Sequence, residues 1–193
     1  MSGLVSSADE QSPGPAPRPR QGSLDAGAFE ALFKECAADV HGYLISLLGD
    51  SASAEDATAL AFERLYRSRA RLDNRRGTPR AWLFAIARNA ALDELRQRRR
   101  RSSHGPVDEP ADDRSAADEA LEQVERRATV RGALASLSLR EREIVLLKFH
   151  GQLSNSELAR AMGISESNAG TRLHRALTRL RDHCAEIARE EVA

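Results

Sequence analysis

Apolar residues recur at helical spacing through most of the chain. Phe29, Leu32, Phe33, Ala37, Val40, Leu44, Leu47 and Leu48 form a first stripe, which predicts a helix that Gly49 stops. Ser53, with Asp56 three residues on, predicts the cap of a second helix carrying Ala57, Ala61, Phe62, Leu65 and Tyr66. A polar basic loop, RARLDNRRGT, separates it from a third. Thr78 is placed to cap that helix, with Pro79 at its first position, where a missing N–H does no harm. Its apolar residues are Trp82, Leu83, Ile86, Ala87, Ala90 and Leu95, and it runs out into RQRRRR.

A second helical unit starts near Asp118. Ser138 and Glu141 form a capping-box pattern before Ile144, Val145, Leu146, Leu147 and Phe149, and Gly151 is expected to end that helix. Ser154 and Glu157 repeat the pattern before Leu158, Ala159 and Met162. Gly163 predicts a tight turn, and Ser165 caps a final helix, SESNAGTRLHRALTRL. Ala169, Leu173, Ala176, Leu177 and Leu180 share one side of it. Asn168, Arg172, Arg175 and Arg179 line another. Gly170 near its middle is costly, by about 1 kcal/mol relative to Ala.

These patterns predict an all-α fold of two small helical domains joined by a flexible acidic linker, the second a helix-turn-helix domain. The expected boundaries are a disordered N-terminal tail at 1–24, a first domain at 25–101, a linker at 102–117, a second domain at 118–185 and a tail at 186–193. The tail is rich in Pro, Ser and Gly, and Pro106 and Pro110 break the linker. No period of 20 to 50 residues suggests a solenoid.

Composition narrows the classes. Aromatic residues are 4% of the 193, and Ala, Leu, Arg and Glu are abundant, which favours helices. No window is apolar enough for a membrane span. The N-terminus lacks a basic start followed by an apolar core, so a signal peptide is not expected. Cys36 and Cys184 provide no disulfide framework, and the chain reads as cytoplasmic.

The net charge is zero, but the charge is segregated. Arg64 to Arg101 holds thirteen Arg against Asp73, Asp93 and Glu94. Gly105 to Arg126 holds eight acidic residues against Arg114 and Arg126. Arg160 to Arg181 holds five Arg and His174 against Glu166. Two basic blocks therefore flank an acidic spacer, an arrangement suited to binding nucleic acid.

Each block has its own chemistry. Ser154 to Leu173 has the outline of a helix-turn-helix, with Ala159 at the helix contact, Gly163 at the turn, and Ile164, Ala169 and Leu173 pinning the second helix. Arg172 and Arg175 then suit guanine edges or phosphates, and Asn168 suits adenine or phosphate. An ordinary helical hairpin with a solvated Arg face is the plainer reading. The first block combines a loop with a Trp-bearing basic helix. Arg75, Arg76, Arg88, Arg96 and Arg98 supply charge for a single strand, and Asn74 and Asn89 supply amides. Trp82 is more readily a core residue than a stacking platform. Enzyme readings lack support: no Gly-rich phosphate loop follows a strand pattern. The pairs Cys36/His41 and His183/Cys184 lack the spacing of a zinc site, so no metal or cofactor is expected.

Four stretches in order, AEDATALAFERLY, PRAWLFAIARNAALDELRQRRR, LSLREREIVLLKFHGQLSNSELARAMGIS and TRLHRALTRLR, resemble a bacterial RNA polymerase sigma factor of the extracytoplasmic-function (ECF) type. The resemblance runs from about Phe29 to Arg181. It implies a non-enzymatic initiation factor whose partners are core RNA polymerase and promoter DNA, with no small-molecule substrate. An anti-sigma factor is a further implied partner. By the same resemblance the first domain binds polymerase and melts the minus-ten element, and the second reads the minus-thirty-five element. Glu55, Asp56, Phe62 and Glu63 fall in the polymerase-binding stretch. The loop Leu72 to Thr78 corresponds to a pocket for a flipped base, and Arg88, Asn89, Asp93 and Arg96 to the helix facing melted DNA. Asn168, Thr171, Arg172 and Arg175 fall on the groove-facing helix. The chain departs from the pattern at Ala59 and Leu60, where a Gln and an acidic residue are usual, and at Gly170, where a basic residue is common. A stand-alone helix-turn-helix regulator is the alternative; it would have no use for a basic melting loop and helix.

Overall fold

The computed structural model describes residues 24–73, 77–102 and 121–190. These residues form seven α-helices and a short 3-10 turn, with no strand among them. The helices are α1 (Ala26–Leu48), α2 (Ser51–Ser68), α3 (Pro79–Ser102), α4 (Leu121–Ser136), α5 (Leu139–Phe149), α6 (Asn155–Met162) and α7 (Glu166–Glu190). Residues 1–23 of the expected N-terminal tail and nearly all of the expected linker lie outside the described residues; Leu24, expected in the tail, is instead buried and its N–H donates to Arg69 O at 3.1 Å.

Local chemistry explains most of the ends. Asp25 caps α1, its side chain accepting from Ala28 N at 2.8 Å, and Gly49 closes the helix in the left-handed region at φ 80°. Thr78 caps α3 by accepting from Ala81 N at 3.2 Å. Both expected capping boxes form, at Ser138–Glu141 and Ser154–Glu157. Gly163, at φ 67°, makes the turn between α6 and α7, and Ser165 Oγ accepts from Asn168 N at 3.3 Å.

Three boundaries differ from expectation. The cap of α2 is Asp50, which accepts from Ser53 N at 2.8 Å, so Ser53 lies inside the helix. Asp50 also pairs with Arg98, reaching over from α3. Burial opposes ionisation of Asp50, but Ser53 and Arg98 outweigh it and hold its pKa below the usual value. Gly151 does not stop α5, which ends on His150 as its cap. The positive φ that follows falls on Gln152, at 53°. Helix α7 runs on to Glu190, past the expected boundary at 185.

Helices α1, α2 and α3 pack as one unit around Val40, Tyr43, Leu44, Ala61, Leu65, Leu83 and Phe84. In the other unit, α4, α5 and α6 each pack on α7. The units are not separate bodies. α5 lies against α1 and α6 against α3, so one continuous apolar core runs from Leu24 to Ala176. Two glycines permit this approach. A Cβ on Gly42 would lie 2.9 Å from the ring of His150. A Cβ on Gly151 would lie 2.5 Å from Leu147 O and 3.3 Å from Phe84. Small residues are therefore required where α1 and α3 meet the end of α5.

Candidate nucleic-acid interface

The turn between α6 and α7 sets the outer face of α7. Ala169, Leu173 and Ala176 are buried, and Leu177 and Leu180 pack against the same core. Asn168, Thr171 and Arg175 are therefore exposed, with Arg172 half-buried beside them. Among the described residues, no ion pair holds Arg172 or Arg175. Thr171 Oγ1 donates to Ser167 O at 3.0 Å, so its hydroxyl is tied to the helix. Arg179 is different: it is paired with Glu141 at the start of α5. Glu141 also accepts from Ser138. That bond and the Arg179 charge outweigh burial, holding its carboxyl below the usual range. Arg179 thus ties α7 to α5. Gly170 lies toward α6, where an added Cβ would meet Asn155 Nδ2 at an ordinary 3.7 Å.

The first basic block is divided among several tasks. Asn74, Arg75 and Arg76 lie outside the described residues. Asn89 is exposed on α3, and Arg96 is exposed and paired with Asp93 at 2.9 Å. Arg98 is committed to structure. It binds Asp50, Glu94 at 3.0 Å and the Leu48 carbonyl at 2.9 Å, fastening the α1–α2 corner to α3. Trp82 is half-buried and packs on the core.

Arg88 turns away from solvent. Its Nε lies 2.6 Å from Glu143 Oε1, with side-chain exposures of 17% and 3%. The contact is close but not aligned as a hydrogen bond. Glu143 is the buried charged residue among those described, and burial, opposed by Arg88, pushes its carboxyl up. The hydroxyl of Tyr43, also without a hydrogen-bond partner among the described residues, is buried close enough to feel both charges.

Arg80, a residue the sequence did not single out, carries the neighbouring contacts. Its Nε donates to Gly151 O at 2.8 Å and its Nη2 to His150 O at 2.7 Å. The same guanidinium pairs with Asp39 on α1 and donates to Cys36 Sγ at 3.2 Å. Thr78 Oγ1 donates to Glu157 at 2.7 Å, linking the cap of α3 to the capping box of α6. Basic and hydroxyl donors of the first unit thus face acceptors of the second. One signal for Glu143 was present in the sequence: it sits four residues from both Leu139 and Leu147, on the buried side of α5.

On α2, Glu55, Asp56 and Glu63 are exposed. Glu63 pairs with Arg67 at 2.6 Å, and Glu55 accepts from Ser51 at 3.0 Å. Phe62 is buried beneath them, in edge-to-face contact with Phe29 and Phe33. Phe33 and Tyr66 remain substantially exposed and give this side an aromatic surface. Among the described residues, no cluster of three His, Cys, Asp or Glu is placed to hold a metal ion, and no helix is long and apolar enough to cross a membrane.

Residues 32–101 match the family model for Sigma-70 region 2, and residues 127–180 that for Sigma-70, region 4. The chain is 31% identical over 159 residues to the ECF RNA polymerase sigma factor SigL of Mycobacterium tuberculosis, covering 82% of this chain and 90% of that relative. It is 35% identical over 172 residues to the RNA polymerase sigma factor CarQ of Myxococcus xanthus, covering 89% and 96%. Its fold is similar to that of the sigma factor RpoE from Bartonella quintana, solved in complex with the anti-sigma factor NepR. The TM-score is 0.69 at 22% identity, covering 80% of this chain and 95% of that one. CnrH, solved with the cytosolic domain of CnrY, gives a TM-score of 0.60 at 22% identity, covering 82% and 88%.

Proposed function

The chain belongs to the ECF group of RNA polymerase sigma factors, which direct promoter-specific transcription initiation, and from that premise we propose how its residues divide the work. The first unit binds core polymerase through the α2 surface of Glu55, Asp56 and Glu63, with Phe62 supporting it from below. The same unit engages the melted minus-ten element through Asn74, Arg75 and Arg76, and through Asn89 and Arg96 on α3; Arg88, expected on that face, is instead paired with the buried Glu143. The second unit reads the duplex minus-thirty-five element with α7. Arg172 and Arg175 approach base edges or phosphates, and Asn168 and Thr171 complete that face. Arg88, Arg98 and Arg179, whose ion pairs cross from one helix to another element, act by holding the frame that presents these residues.

The observation that carries this reading is the α6–turn–α7 geometry. Burial of Ala169, Leu173 and Ala176 fixes the rotation of α7 and leaves Asn168 and Arg175 outward. A helix held in this way can enter a major groove. An added region 2 unit distinguishes the protein from a stand-alone helix-turn-helix regulator. The protein contributes binding and strand separation, acts in the cytoplasm and has no catalytic role of its own. The anti-sigma factor NepR bound to the similarly folded RpoE supports an anti-sigma partner here as well.

Transcription in vitro with purified core polymerase, run on a genomic promoter library with start-site mapping, tests the proposal. A set of starts sharing two spaced elements is expected. Starts that are unchanged when this chain is omitted would overturn it.

A further inference from the structure

We propose that Asn155 of α6 is a further DNA-contacting residue and that Gly170 is the opening through which it acts. Where α7 lacks a side chain, the amide of the neighbouring helix takes a backbone phosphate of the upstream element. The inference rests on the assignment of α7 to that element. Its starting point is the place of Gly170 around the helix. Ala169, Leu173 and Ala176 turn inward, and Thr171 and Arg175 turn outward. At about 100° per residue, Gly170 falls between the two sets, on the flank of α7 and in line with the exposed His174 one turn on. Across that flank stands Asn155. A Cβ on Gly170 would lie 3.7 Å from Asn155 Nδ2.

Asn155 is exposed and, among the described residues, no hydrogen bond or ion pair holds its side chain. Its backbone, by contrast, is fixed. It is the first residue of α6, directly after Ser154, whose capping box with Glu157 closes that end of the helix. Glu157 is held in turn by the Thr78 hydroxyl of α3 at 2.7 Å. A free amide is thus presented from a rigid frame, so little ordering is lost when it binds. A side chain longer than a methyl group at position 170 would share this space, and the glycine leaves it to Asn155. The geometry favours a phosphate over a base edge. In a helix-turn-helix the first helix crosses the strand backbone while the second enters the groove, and Nδ2 can donate to a phosphate oxygen. Such a contact sets the register of α7 on the duplex without carrying sequence information.

The test uses the full chain assembled with core polymerase, and a promoter duplex found by start-site mapping. Asn155→Ala removes the amide from an exposed position and leaves the cap at Ser154 in place; circular dichroism confirms the helices. It should weaken promoter binding about fivefold, as for one net hydrogen bond, by the same factor whatever base pairs the upstream element carries. Because Asn155 is neutral, the salt dependence should not change. Gly170→Lys puts a cation in the same place. It should bind more tightly and steepen the log–log salt slope by about 0.9. In that background Asn155→Ala should cost less than about twofold, because one phosphate contact has replaced the other. Single methylphosphonate substitutions along the upstream element should reveal one phosphate whose neutralisation weakens binding of the unaltered protein but not of Asn155→Ala.

Unchanged binding by Asn155→Ala would overturn the contact. Equal losses from Asn155→Ala with and without Gly170→Lys, or weaker binding by Gly170→Lys itself, would overturn the exchange between the two positions. A loss that depends on one base pair would overturn the assignment to phosphate. If the unaltered protein forms no promoter complex with core polymerase, the transcription reading itself fails. If Arg175→Ala weakens that complex while Asn155→Ala does not, the transcription reading stands and only the Asn155 contact falls.

Discussion

Arg88 on α3 and Glu143 on α5 meet at 2.6 Å across the joint between the two halves of the chain, and both side chains are largely withdrawn from water. Removing one partner of a buried pair leaves the other charge uncompensated, at a cost of about 3–5 kcal/mol where no relaxation is possible. In a double-mutant cycle of Arg88→Ala and Glu143→Ala measured by urea unfolding, the two changes should couple by at least about 1 kcal/mol. Additive losses would mean that the two charges do not sense each other.

Arg172 and Arg179 lie on one helix but are not equivalent. Among the described residues no ion pair holds Arg172, whereas Arg179 is paired with Glu141. Arg172→Ala should weaken binding to the upstream promoter element by about 1–3 kcal/mol and relax the preference at one base pair, if the contact is bidentate. Arg179→Ala should leave base preference intact and lower stability by less than about 1 kcal/mol, as for a pair open to solvent. Fluorescence anisotropy on a panel of duplexes separates the two. A shift in base preference caused by Arg179→Ala would place that residue on the DNA instead.

Gly170 sits inside α7 with space for a methyl group, its nearest neighbour being Asn155 Nδ2 at 3.7 Å. Gly170→Ala should therefore stabilise the second unit by about 0.5–1 kcal/mol through helix propensity. A loss on thermal melting would show that Asn155 cannot yield. Gly170→Lys carries the functional question. Tighter and less selective DNA binding would mean that the glycine marks an omitted phosphate contact, whereas weaker binding would mean that the backbone approaches DNA closely there.

The helices were legible in the sequence because their ends are encoded locally. Thr78–Pro79, Ser138–Glu141, Ser154–Glu157, Gly163 and Ser165 each act within four residues, and each formed as the pattern implied. Ser53 misled because Asp50 is an equally good cap and is further favoured by Arg98, a residue 48 positions away. The outward face of α7 was legible from its period. The fates of Arg88 and Arg98 were not. A run of Arg shows charge, while the partner that claims each guanidinium is chosen by packing between distant helices. Gly151 shows the same limit: its place after an apolar run suggests a helix stop, yet its lack of a side chain serves contact with Phe84.

Glu157 couples a helix cap to the joint, since it accepts from Ser154 Oγ at 2.9 Å and from Thr78 Oγ1 at 2.7 Å. Burial raises its pKa, but the hydrogen bonds from Ser154 and Thr78 outweigh this and leave it below the usual value. A depressed carboxyl contributes stability that is present above the ordinary Glu value and is lost as pH falls through the lowered one. Glu157→Gln should therefore flatten the acid limb of a stability-versus-pH curve below about pH 4.3. Thr78→Val should reproduce part of that flattening; an unchanged limb in both would exclude Glu157 as its source.

His150 gives the joint a second pH response, in a window nearer neutrality. Its ring packs against Gly42 of α1, its carbonyl receives Arg80, and Asp39 and Cys36 share that guanidinium. Burial lowers the pKa of His150, with the Asp39 charge opposing. The folded protein therefore favours the neutral ring. Its contribution is complete above the ordinary value of about 6.5 and is lost as pH falls through the lowered value. The carboxyl of Glu143, raised by burial despite Arg88, has the opposite sign: it favours the folded state at low pH and loses that contribution as pH rises. Stability to urea should thus fall as the protein is taken from pH 7.5 towards 5.5. In His150→Gln that fall should shrink or vanish. A fall that persists unchanged in His150→Gln would assign the response to another group.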